Sequence, residues 1–326
     1  MMAISRRLFL KTAAVGTSIA PSLGAGPSPA PKLPTRAFGK TGIEVPILGF
    51  GSGSRFLMYE EEDRAHEALS TAIDLGITYL DTAHSYGNGR SEERIGRLMP
   101  DRRDEVLLAT KIGARKGDDA RRQIEQCLSR LQTDRLDVLH IHALRDEDDL
   151  AAIEAPGGVL EALYEARDQK IARAIGITCH AAPRALALAL ERHDFDCTQM
   201  ALNAAMARMA DTQQGLKATP MTQGGFEELA LPVAHRKNMG IIAMKVFAQD
   251  QITDAAPIDA LLRYSLSLPI SLASLGMPRP EFIAQNVSLA RQFTPMPDAD
   301  RRKLINSIAA ERKVSLARFF QHHADA

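Results

Sequence analysis

Short apolar runs alternate with amphipathic stretches along most of this chain. Val45–Ser52 reads as a buried strand, behind a short hairpin over Arg36–Glu44 that turns at Gly39-Lys40-Thr41-Gly42. Glu60–Leu75 carries Ala65, Ala68, Leu69, Ala72 and Ile73 on one helical stripe, with Gly76 as its stop. Strands are predicted at Thr78–Ala83, Val106–Ile112 and Leu136–Ala143, and helices at Ser91–Met99, Asp119–Gln132 and Gly158–Gln169. The second half repeats the order. Strands at Ala172–Cys179, Thr198–Asn203, Gly240–Phe247 and Ile270–Leu275 alternate with helices at Pro183–Arg192, Phe226–Lys237, Pro257–Leu268 and Pro280–Gln292. A long loop rich in Met, Thr, Gln and Gly runs from Asn203 to Gly225, and Asp298–Glu311 adds a polar-faced helix.

Eight alternations without an interior linker predict an α/β fold: a single (β/α)₈ TIM barrel spanning 35–326, with a short N-terminal hairpin and an extra C-terminal helix. The open-sheet alternative rests on Leu48-Gly49-Phe50-Gly51-Ser52-Gly53, which resembles a dinucleotide fingerprint. That pattern fails at its last position, Ser54, so the barrel is favoured.

Residues 1–34 read differently. Ser5-Arg6-Arg7-Leu8-Phe9-Leu10-Lys11 precedes a mildly apolar run and then a Pro- and Gly-rich stretch, Gly24 to Pro34. This resembles a bacterial twin-arginine export signal, so 1–34 are set apart as signal and linker. The expected partner is the twin-arginine machinery and the expected compartment the periplasm, reached in a folded state. Such an enzyme is expected to carry its cofactor with it.

Composition narrows the options. Among 326 residues, 40 basic and 40 acidic side chains balance, which gives no reason to expect a nucleic-acid partner. No apolar run is long enough to span a membrane, so no stable membrane anchor is expected. Cys127, Cys179 and Cys197 fit no zinc spacing, and no metal site is expected. Cys127 shares a stripe with Ile124, Leu128 and Leu131 and is expected in the core. Cys179 and Cys197 fall at opposite ends of their strands, which argues against a disulfide; a reactive thiol at Cys179 is a minor alternative.

The chemistry lies at strand ends. Asp81 and Tyr86 follow the second barrel strand, Lys111 ends the third and His142 the fourth. In a parallel barrel those ends share one face. A phenol titrates near pH 10 and must be lowered by about two to three units to exchange protons near neutrality. A lysine at about 4 Å contributes roughly 4 kcal/mol toward that at an effective dielectric of about 20. The reading is Tyr86 as general acid/base, Lys111 as its pKa depressor, Asp81 as the lysine's counter-ion and His142 as orienter of a carbonyl oxygen. Singly, each residue has a bland reading as a turn, a surface side chain or a structural histidine; together at matching ends they favour chemistry. None is a hydride source, so a nicotinamide is required.

From about Phe38 to Gln292 the chain resembles the aldo-keto reductase superfamily. The resemblance rests on Gly39-Lys40-Thr41-Gly42, Asp81 to Gly87, Ser91-Glu92, Lys111, Asp137 to His142, Ala174-Ile175-Gly176-Ile177-Thr178 and Gln199. It implies a barrel that binds NADP or NAD and reversibly reduces an aldehyde, ketone or sugar carbonyl. It places cofactor contacts at Gly51, Ser52, Thr178, Gln199, Met244, Lys245, Gly276, Phe282, Gln285 and Asn286, with Thr178 and Gln199 on the nicotinamide carboxamide. Three departures stand out. Cys179 replaces a frequent Asn, with His180 as a partial substitute. Met244 replaces a stacking Tyr. Phe282 and Gly276 replace basic residues, leaving Arg279 as the candidate for a 2′-phosphate and NAD as an option. Phe56, Tyr59, His84 and Ala205–Gly225 are expected to shape the substrate pocket. The competing reading is an exported redox-sensing nicotinamide-binding module with vestigial turnover.

Overall fold

The computed structural model describes residues 32–180, 182–205, 208–212, 215–219 and 224–308, with side chains omitted for 206–223. The segment read as an export signal, residues 206–207, 213–214 and 220–223 of the expected loop, and the segment from 309 onward therefore lie outside the described residues.

Eight parallel strands close on themselves: β3 (Leu48–Gly51), β4 (Tyr79–Asp81), β5 (Leu107–Ile112), β6 (Leu136–Ile141), β7 (Ala172–Cys179), β8 (Cys197–Ala201), β11 (Gly240–Met244) and β12 (Leu272–Gly276). Closure is made by β12 against β3, where Ala273 faces Leu48 and Gly276 faces Gly51. Such strands are covered on both faces and read as continuous apolar runs, which is how they were recognisable.

Helices cover the outside. They are α1 (Glu62–Asp74), α2 (Arg90–Gly96), α3 (Met99–Arg102), α4 (Gly117–Arg130), α5 (Glu147–Glu154), α6 (Val159–Asp168), α7 (Pro183–Arg192), α8 (Phe226–Leu229), α9 (Leu231–Arg236), α10 (Ile258–Leu266), α11 (Pro280–Arg291) and α12 (Asp298–Ser307). The α1 stripe buries the five predicted residues, Ala65 through Ile73. Cys127 is buried on α4 beside Ile124.

The hairpin pairs β1 (Thr35–Ala37) with β2 (Glu44–Pro46), and Phe38 plugs the N-terminal end of the barrel. The plug fits because residue 240 is glycine: a Cβ there would stand 2.7 Å from the Phe38 ring. Phe38 joins Tyr79, Val138, Ile242 and Leu272 in a core inside the barrel, while a larger core lies between strands and helices.

Four expectations need correction. The strand placed at Val45–Ser52 is two, β2 and β3, separated at Ile47. The helix placed at Phe226–Lys237 breaks into α8 and α9, because Pro232 lacks an N–H and crowds the preceding turn. Helix α5 was absent from the expected order. Its Asp146 N-cap accepts from the Asp149 N–H at 2.7 Å, and three acidic residues fill its first turn. Within the segment expected as loop, the backbone pairs β9 (Arg208–Thr212) with β10 (Gly215–Thr219) as an antiparallel hairpin.

Candidate active site

Asp81 is the last residue of β4, Lys111 the next to last of β5, and His142 follows β6 directly. Parallel register brings all three to the C-terminal face. Tyr86 stands on a short 3₁₀ turn, Tyr86–Gly89, reached from β4 through Thr82–Ser85.

That turn is held from beneath by buried polar groups. Ser91 donates its hydroxyl to the Ser52 carbonyl at 2.7 Å and lies 2.8 Å from the Thr82 hydroxyl. Glu92, fully buried, accepts from Thr110 at 2.7 Å and pairs with Arg130, which also donates to the His84 carbonyl at 3.1 Å. A buried carboxylate is tolerated only with such partners. The Ser91-Glu92 pair thus fixes the loop that presents Tyr86.

The four sequence-predicted residues converge. Lys111 Nζ lies 2.8 Å from Asp81 Oδ1, donates to the Thr82 carbonyl at 2.6 Å and stands 3.5 Å from the Tyr86 hydroxyl. The same ammonium is 5.0 Å from the Tyr86 ring centroid. The His142 ring meets the Tyr86 ring edge-on, with centroids 5.5 Å apart. All four side chains are buried.

Asp81 has further partners that sequence reasoning missed. Gln199 Nε2 donates to its Oδ2 at 3.0 Å, and the Ser274 hydroxyl donates to the same oxygen at 3.4 Å. The carboxylate is therefore gripped from β5, β8 and β12. No motif marks Ser274; only the closed register brings β12 within reach of β4. His140, one layer below His142, lies 3.4 Å from the Cys197 thiol. Burial first, then the charges of Lys111 and His142, push the His140 imidazole well below its ordinary value, so it is neutral. Burial also pushes the Cys197 thiol well up.

A cleft of about 670 Å³, counting space open to solvent, leads to Asp81 and Tyr86. Of the residues expected to hold a cofactor, Gly51, Gln199, Met244, Lys245 and Gly276 line it, as does His180. Ser52 is fully buried, and its hydroxyl has no hydrogen-bond partner among the described residues. Thr178 is buried and its hydroxyl accepts from the Ala143 N–H at 2.8 Å; it is not in the cleft wall. Phe282, Gln285 and Asn286 lie on α11, outside the wall, with the Arg279 guanidinium 5.0 Å from the Phe282 ring centroid. Phe56 and Tyr59, expected in the substrate pocket, instead pack in the core near Phe50. Cys179 is not a mouth thiol: it is buried, donates to the Leu144 carbonyl at 3.1 Å and accepts from the Ala182 N–H.

One side of the cleft is tied to the other. Arg55, after β3, pairs with Asp250 at 2.6 Å and donates to the Gln249 carbonyl at 3.0 Å. Ala248, Gln249 and Asp250 all have left-handed φ angles, an unfavourable run for residues with a Cβ. None of these contacts was legible in residue spacing.

A sequence model of the Aldo/keto reductase family matches residues 48–318. The chain belongs to the aldo/keto reductase family. Members are generally NAD(P)-dependent oxidoreductases of carbonyl compounds. Among curated relatives of this aldo/keto reductase, YhdN of Bacillus subtilis is 37% identical over 153 residues, which is 42% of this chain and 44% of the relative. L-galactose dehydrogenase of Arabidopsis thaliana is 33% identical over 45% of this chain and 49% of its own length. These matches span about half the length of those relatives. D-threo-aldose 1-dehydrogenase of a Pseudomonas species is 28% identical over 66% of this chain and 70% of its length. Among solved structures, the holo form of aldo-keto reductase AKR11C1 from Bacillus halodurans superposes with a TM-score of 0.66 at 21% identity, covering 85% of this chain and 96% of that one, which shows the shared fold.

Proposed function

We propose that this aldo/keto reductase is an exported NAD(P)(H)-dependent enzyme that reversibly reduces an aldehyde, ketone or sugar carbonyl, with Tyr86 as the general acid/base. The observation that carries the proposal is the convergence of Asp81, Tyr86, Lys111 and His142 at three successive strand ends, beside an open cleft.

The residues present fit a nicotinamide cofactor. Gln199 Oε1 is buried in the cleft wall without a hydrogen-bond partner among the described residues, and can accept from a carboxamide. Lys245 brings positive charge to the cleft wall and suits a pyrophosphate, while the Arg55 guanidinium there is paired with Asp250. When bound, the nicotinamide supplies or accepts hydride. The protein's part is the proton. Tyr86 donates its hydroxyl proton to the carbonyl oxygen in reduction and takes it back in oxidation. The Lys111 ammonium at 3.5 Å favours the phenolate by about 5 kcal/mol at an effective dielectric of about 20, before Asp81 offsets part of that. Asp81 keeps the lysine aimed, and His142 orients the carbonyl oxygen. Of the expected carboxamide pair, Gln199 retains an open acceptor, and the Thr178 hydroxyl accepts from the Ala143 N–H.

The twin-arginine pattern at Arg6 and Arg7 supports periplasmic export after folding. Compartments without a free nicotinamide pool favour an enzyme that keeps its NADP or NAD bound and recycles it between two substrates. Tyr86→Phe tests the chemistry: carbonyl reduction should fall by about 10²- to 10⁴-fold while nucleotide affinity stays within about twofold. Activity retained in that variant sinks the assignment. Mass spectrometry of nucleotide released from the exported, mature protein tests the carried cofactor. Exchange of bound for isotope-labelled nicotinamide at every turnover argues against recycling.

A further inference from the structure

The turn after β6 carries His142 and is strained at the next residue. Ala143 has φ +53°, a left-handed angle that side chains with a Cβ rarely adopt. The amide side of the turn is held by Thr178, whose hydroxyl accepts from the Ala143 N–H at 2.8 Å. His142 N–H reaches the Ile112 carbonyl at 2.9 Å and Leu144 N–H reaches the Thr178 carbonyl at 2.8 Å, which leaves the His142 and Ala143 carbonyls facing Arg115.

Arg115 follows β5, four residues after Lys111. Its Nη2 donates to the His142 carbonyl at 3.0 Å and the Ala143 carbonyl at 3.2 Å, and its Nη1 to the Gly113 carbonyl at 3.1 Å. The guanidinium is itself gripped by Asp149 on α5: Nε to Oδ1 and Nη2 to Oδ2, both at 2.8 Å. The Asp149 side chain is 1% exposed, and Arg145 adds its side chain at 2.8 Å and its N–H at 3.1 Å. A bidentate guanidinium–carboxylate pair is geometrically exacting in a way a lysine point charge is not.

Ion pairs this buried are poor sources of stability, since well-packed apolar residues commonly do as well. A planar fork is distinctive in reaching two consecutive carbonyls and a carboxylate together. We propose that Arg115 and Asp149 are positioning residues for His142, locking the end of β6 to the end of β5 so that the imidazole keeps its place beside Tyr86. The inference rests on the catalytic reading above for its kinetic consequence, but not for its structural one.

The test is Arg115→Lys, with exposed Arg121→Lys as control, in protein labelled with ¹³C at histidine Cε1. The His142 resonance is assigned by its loss in His142→Asn. Arg115→Lys should move that resonance and leave those of the distant histidines, His66 and His235 among them, in place; Asp149→Asn should move it too, which covers poor folding of either variant. A merely structural role lowers the melting temperature without singling out one histidine. An unmoved His142 resonance, or shifts spread over all the histidines, overturns the proposal. In the kinetic arm, Arg115→Lys should lower kcat by about tenfold or more with nucleotide Kd within about twofold. That loss should shrink in the His142→Asn background. Equal losses in both backgrounds also overturn it. Wild-type protein that reduces no carbonyl with either nicotinamide defeats the functional reading, while the resonance still decides this one.

Discussion

Lys111→Met separates what the buried ion pair does for chemistry from what it does for the fold. The lysine side chain is 2% exposed and that of Asp81 is 4%. Replacing Lys111 leaves a carboxylate almost wholly buried at the foot of the cleft, with the Gln199 and Ser274 donors on Oδ2 and methionine in place of the cation at Oδ1. The Thr82 carbonyl loses its 2.6 Å donor as well. Breaking a buried pair from one side costs about 3–5 kcal/mol. For a domain of this size about 1 kcal/mol moves the melting temperature by roughly 2–4 °C, so the variant should melt about 6–20 °C lower. The double variant Asp81→Asn/Lys111→Met removes the orphaned charge and should recover at least half of that loss. Neither variant should turn over carbonyl substrate. Scanning calorimetry at neutral pH, with urea midpoints as a second reading, measures both. A Lys111→Met protein melting within about 2 °C of wild type, or a double variant melting below the single, refutes the claim that this pair is desolvated and mutually dependent.

Two further predictions concern the layer beneath the site. Because the folded His140 imidazole stays neutral while the unfolded one protonates near pH 6.5, this group's contribution is complete above that pH and is lost as pH falls through it, at up to about 1.4 kcal/mol per pH unit. His140→Leu should therefore narrow the gap between urea midpoints at pH 7 and pH 5; an unchanged gap rejects the assignment. At Gly176 an added Cβ would stand 2.5 Å from the Cys197 carbonyl oxygen and 2.7 Å from the His140 ring, so Gly176→Ala should destabilise by about 1–3 kcal/mol. A variant as stable as wild type shows that β7 and β8 can part more easily than their packing implies.

The legible parts of this molecule were those written in local periodicity. Ala172–Cys179 and Pro183–Arg192 stand where the pattern placed them, since an unbroken apolar run and an N-terminal proline each mark a boundary sharply. Asp81, Tyr86, Lys111 and His142 were readable because a parallel barrel sends every strand's end to one face. The partners that hold them were not. Ser274 reaches Asp81, and Asp149 reaches Arg115, through tertiary closure, and residue spacing carries no record of either. Helix α5 left a signal that was overlooked, an Asp N-cap followed by acids and then Leu150 and Ile153. The Pro232 break was equally visible. Thr178 carries a structural task that its type did not announce: its hydroxyl accepts from the Ala143 N–H, which leaves the hydroxyl proton to donate elsewhere.

The pairing of β3 with β12 has a consequence for how the chain reaches its folded state. Leu48 is among the first barrel residues to be synthesised and Ala273 among the last, yet they are neighbours. Until the final strand emerges, the sheet has two raw edges, each able to recruit a stray strand from another molecule. Closure joins contacts of great sequence separation, which slows folding and lengthens that exposed interval. Chains cut short before Leu272 should accumulate as aggregates, not as a smaller soluble barrel. A protein sent across a membrane already folded would have to outlast this interval before its departure.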